Sequence, residues 1–175
     1  MKLSYLWHGP PGHPIHPPLT DAAIGMYTFA ALAAFTDVTG ISEESGAYGW
    51  WLALVFGLVI SALAALTGLV DWAAIERGTP LWRTATSHMV AMLATTAVFL
   101  LTAVLGHDDF QHGDLTAGSF VLTAIGFGLL TLGGWLGGAI VFEHGMRVLS
   151  LTDQPARDAA SPRPTPEERD AEQVT

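Results

Sequence analysis

The side chains in this sequence best suited to hold a metal or a cofactor are histidines: there are seven, and there is no cysteine. Neutral imidazole is the commonest metal ligand. The missing thiols exclude disulfides, thiolate metal sites, iron–sulfur ligation within the chain and covalent haem attachment through C-x-x-C-H. Two histidines lie in Gly12-His13-Pro14-Ile15-His16-Pro17-Pro18. Proline favours an extended, polyproline-like backbone that repeats every three residues, so His13 and His16 are expected to point the same way, about 9 Å apart. The plainer reading is a stiff turn into the membrane with both rings at its surface.

Further groups of this kind recur along the chain. His88 follows Ser87, which reads as the N-cap of a helix. Asp71 ends a hydrophobic run, where the helix dipole disfavours a carboxylate. Its neighbour at i+4 is Ile75, so its partner is expected to be tertiary: Arg77, Arg83, His88 or an N-terminal histidine. Glu143 has Arg147 at i+4, an ordinary stabilising pair, and His144 follows it. Asp21 reads as a first-turn carboxylate capping its helix. His107 and His112 belong to an acidic loop and are expected to be solvated, and His8 takes no role.

These residues need elements to position them, and the composition says what those elements are. Half of the 175 residues are hydrophobic, 13% are charged and the mean hydropathy is +0.41. Soluble domains carry about a quarter charged residues, so the surplus apolar surface is expected to face lipid. Four apolar runs stand out: Leu19–Phe35, Trp50–Val70, Met89–Leu105 and Gly118–Phe142. The second spans roughly 31 Å as a helix, the thickness of a bilayer's hydrocarbon core. The prediction is an all-α, integral membrane four-helix bundle over 19–150. It follows a Pro/His-rich segment at 1–18 and precedes a cytoplasmic tail at 151–175, whose composition predicts disorder. Proline and histidine stand where a cleaved signal would have its apolar stretch, so none is expected.

All seven Lys and Arg residues fall on the side of the N-terminus: Lys2, Arg77, Arg83, Arg147, Arg157, Arg163 and Arg169. The opposite loops hold Asp37, Glu43, Glu44, Asp108, Asp109 and Asp114 and no cation. By the positive-inside rule both termini are expected in the cytoplasm of a bacterium, with the chain in its inner membrane. Trp50, Trp51, Trp72 and Trp82 read as interfacial belt residues. Gly57-x-x-x-Ser61, Ala64-x-x-x-Gly68, Gly133-x-x-x-Gly137 and Gly134-x-x-x-Gly138 are small-residue faces for close helix packing, within one bundle or between copies in a homo-oligomer. The net charge of −9 argues against a nucleic-acid partner. His16 to His88 and Asp71 to Glu143 are both 72 residues apart, a weak sign of duplication, since identity elsewhere at that offset is poor.

Gly12-His13-Pro14-Ile15-His16-Pro17, Gly68-Leu69-Val70-Asp71, Arg83 with His88, Gly133-Gly134-Trp135-Leu136-Gly137-Gly138 and His144-Gly145 occur in that order. In this the chain resembles the bacterial membrane proteins grouped as the domain of unknown function 2231 family, over roughly residues 8–150. Some members carry a fused Rieske iron–sulfur domain, so the resemblance implies electron transfer. Lacking cysteine, this chain would need a separate Rieske-type or other redox protein as its partner.

Two functions remain open. One is a redox component binding b-type haem, with His88, His16, His144 and His13 as the candidate ligands and Asp71 behind them. The other is a non-enzymatic module whose polar ring binds a divalent metal through His88, His16 and His144, relays protons, or only pins helix ends. No G-x-S-x-G and no H-E-x-x-H is present, so a stand-alone enzyme is not expected.

Overall fold

The computed structural model describes residue 9 and residues 13–42 and 45–147. The tail, most of the N-terminal segment, and Glu43 and Glu44 lie outside the described residues. Helix α1 covers His16–Val38, α2 Ser45–Ala73, α3 Pro80–Leu105, the short α4 His107–His112, and α5 Ala117–Phe142. The described residues contain no strand. The four long helices are each long and apolar enough to cross a membrane. The protein is an all-α membrane four-helix bundle.

The helices are longer than the apolar runs, and the reasons are local. Pro17 and Pro18 occupy the first turn of α1, where a missing N–H costs nothing. His16 is therefore a helical residue and does not share an extended segment with His13. Asp21 is exposed and lies beyond the first turn, which holds no acidic residue, so it does not cap α1. Helix α3 begins at Pro80 rather than near Ser87. Thr79 is its N-cap, accepting from the Trp82 N–H at 3.1 Å, and Gly78 (φ +84°) turns the chain into it. His88 is thus two turns inside α3.

Within the bundle α1 packs chiefly on α2 and α3 on α5, and the two pairs join through α2 with α3 and α1 with α5. The centre is aromatic. Tyr27 and Phe99 stack with ring centroids 4.1 Å apart, and both are fully buried. Trp50 is also fully buried, its Nε1–H donating to Thr123 Oγ1 at 2.8 Å. That corrects its reading as a belt residue: the indole crosses the interior because a hydroxyl on α5 satisfies its donor. Outward positions such as Val59, Leu63, Leu93 and Trp135 are exposed apolar side chains, as a lipid-facing surface requires.

Candidate functional site

His16 reaches from the start of α1 to α2. Its Nδ1 lies 2.9 Å from the Ala64 carbonyl oxygen and 3.3 Å from Thr67 Oγ1. A carbonyl only accepts, so Nδ1 carries the proton and Nε2 keeps a lone pair. The ring lies against Gly68, where an added Cβ would stand 2.6 Å from His16 Cε1. His88 does the same from α3 to α5. Its Nδ1 donates to the Gly133 carbonyl at 2.8 Å, and its ring lies against Gly137. Neither Nε2 has a hydrogen-bond partner among the described residues. Every sealed side-chain nitrogen or oxygen among those residues does have one, so both lone pairs open onto accessible space. His16 is within electrostatic reach of His88 and of Asp71.

The remaining candidates are arranged differently. His144 Nε2 is engaged by Thr84 Oγ1 at 3.0 Å, just past the end of α5. His13 is exposed. Asp71 is buried and pairs with Arg147, a partner the sequence reading did not name for it. The Glu143–Arg147 helix pair does not form, because α5 ends at Phe142 and Arg147 turns back to α2 with a left-handed backbone, φ 62°. A cleft of about 550 Å³ opens there between Asp71, Ile75, Thr79, Leu81, Met146 and Arg147. Asp71 is not the group orienting either ring, since backbone carbonyls take both Nδ1 protons. Among the described residues no three His, Asp or Glu side chains converge as a metal site.

His107 and His112 stand at the opposite end. His107 lies against Trp51, with ring centroids 5.2 Å apart, and His112 Nδ1 binds the Asp108 carbonyl at 2.8 Å. At that end two carboxylates do structural work. Asp37 accepts from the Ala47 N–H at 2.9 Å and the Leu115 N–H at 3.0 Å, and Asp109 accepts from the Thr116 N–H at 3.1 Å.

The sequence model of the family described as predicted membrane protein (DUF2231) matches residues 12–150. The chain belongs to the DUF2231 family. No curated protein and no solved structure matches it. In this DUF2231 protein the matched region includes both carbonyl-bound histidines and both glycines behind them. Sequence reasoning found the histidines but missed the carbonyls of Ala64 and Gly133. The signal was present in Ala64-x-x-x-Gly68 and Gly133-x-x-x-Gly137, which seat imidazole rings as well as helix backbones.

Proposed function

We propose that this protein is a membrane redox component that holds a b-type haem through His88 and His16 near the end of the bundle bearing Arg77, Arg83 and Arg147. One observation carries the reading. Two imidazoles from different helices each donate Nδ1–H to a backbone carbonyl and present an unbonded Nε2, the arrangement that fixes tautomer and orientation for a ligating histidine. Haem iron asks the protein for only one or two axial side chains. Zinc asks for three or four, which favours haem over a divalent ion at a place where two histidines come within electrostatic reach of each other. A bound haem would supply one-electron chemistry. The chain supplies ligands and their orientation, and a separate Rieske-type or other redox protein supplies or removes the electron. Both termini face the cytoplasm in this reading, because the cations gather at that end.

The test is hemin and zinc reconstitution of the detergent-purified chain, with an absorption spectrum and metal analysis. Wild type is expected to take up hemin with a Soret band. His88→Ala should bind hemin much more weakly and without the wild-type spectrum, whereas His107→Ala and His112→Ala should keep both. Zinc uptake without hemin uptake would favour the alternative, a non-enzymatic module with a divalent ion. A chain that stays empty under both conditions would leave only the proton-relay and helix-pinning roles. For orientation, alkaline phosphatase fused at Ser45 or Asp109 should be active and fused after Leu151 inactive; the reverse pattern would invert the assignment.

A further inference from the structure

The two halves of the bundle repeat each other at four contacts once two offsets are allowed, 72 residues for α1 onto α3 and 69 for α2 onto α5. His16 on the Ala64 carbonyl becomes His88 on the Gly133 carbonyl. The His16 ring against Gly68 becomes the His88 ring against Gly137. At mid-bundle, Tyr27 seated on Gly57 becomes Phe99 seated on Gly126, and a Cβ at either glycine would come within 2.6 Å of the ring it faces. At the far end, Asp37 receiving the Ala47 N–H becomes Asp109 receiving the Thr116 N–H. The packing has the same symmetry: α1 with α2 maps onto α3 with α5, and α2 with α3 maps onto α5 with α1. Both copies run in the same direction through the bundle, so the relating axis lies along it. Tyr27 and Phe99, equivalent residues, meet each other in the central stack.

We infer that residues 16–73 and 88–142 are two copies of one helical hairpin about a two-fold axis along the bundle, and that His16 and His88 are the two equivalent side chains that would hold one haem iron. This rests on the haem reading and adds its coordination. Held by an imidazole from each copy, such an iron would have both axial positions filled by protein and none for oxygen, carbon monoxide or a substrate. The site would then carry electrons and not activate small molecules. The copies differ where Asp71 pairs with Arg147, since the position equivalent to Asp71 is Ile140. That difference places a charged pair beside one ligand only.

The experiment is hemin titration of the full chain in detergent, read by absorption and electron paramagnetic resonance in the ferric state and by carbon monoxide addition to the ferrous state. Wild type should give a low-spin ferric signal and no carbon monoxide shift. His16→Ala and His88→Ala should each weaken hemin binding by comparable factors, about tenfold or more. Added imidazole should restore the low-spin spectrum in both. Circular dichroism of each variant, together with His16→Gln and His88→Gln, separates loss of a ligand from loss of the fold. Wild type that takes no hemin would sink the haem reading itself. Wild type that binds hemin in a high-spin, carbon monoxide-reactive form would leave that reading standing and overturn the paired ligation. So would loss on His88→Ala with none on His16→Ala.

Discussion

Glycine beside a ring is the residue-scale feature on which the site depends, and it grades three substitutions. Gly68→Ala would place a Cβ 2.6 Å from His16 Cε1, and Gly137→Ala would place one 3.1 Å from His88 Cε1. Overpacking costs about 1–3 kcal/mol, so Gly68→Ala should lower the melting temperature in detergent clearly and Gly137→Ala less. Gly134 has nothing within 4 Å of its Cβ direction. Gly134→Ala should be neutral or slightly stabilising, because alanine is the better helix former by about 1 kcal/mol. Asp37→Ala offers a second measurement. It strips the acceptor from two amides of otherwise buried residues, Ala47 and Leu115, each loss being worth about 1–3 kcal/mol. Thermal unfolding should show a drop larger than that of Asp21→Ala, whose side chain is exposed.

Between elements, the interior bonds that cross from helix to helix are open to double-mutant cycles. Trp50→Phe and Thr123→Val should couple by about 0.6 kcal/mol, the usual size of an interhelical hydrogen bond in a membrane protein. Asp71→Asn and Arg147→Gln should couple by about 1–2 kcal/mol, since Asp71 is buried but the guanidinium is partly exposed. Additive effects in either cycle would remove that contact from the account. The number and order of spans were legible from the apolar runs, because lipid demands a stretch of about 20 apolar residues from each helix. Helix starts were not. Thr79 caps α3 nine residues before His88, and polar residues such as Arg83 sit comfortably in a helix that extends past the hydrocarbon. The partner of Asp71 was illegible for a similar reason, as Arg147 reaches it only once α5 has ended. The repeat was half legible. The connection from Asp37 to Ala47 is three residues longer than that from Asp109 to Thr116, so any single offset aligns one helix of each hairpin and misaligns the other.

At the scale of the whole molecule, the outward face is a lipid face, and a charge there tests it. Val59 is exposed near the middle of α2. Val59→Lys should reduce the yield of inserted protein, a mid-membrane lysine costing about 2.5–3.5 kcal/mol. An unchanged yield would argue that this face meets water. The interior has the opposite character. Buried hydroxyls of Thr95, Thr102 and Thr123 are bonded back to the carbonyls four residues earlier on their own helices. Tyr27, Phe99, Trp50 and Leu54 fill the space between with no exposed surface. Such a middle behaves as a dielectric plug. A unit charge driven through the full field gains or loses about 2.3 kcal/mol per 100 mV, and these buried aromatic side chains stand across the middle of that path. On the haem reading, an electron carried by an iron held at His16 and His88 would arrive and leave through the same end of the bundle. Electron exchange there should be electrically silent: in sealed liposomes, the midpoint potential of the reconstituted protein should stay put as the imposed voltage is varied.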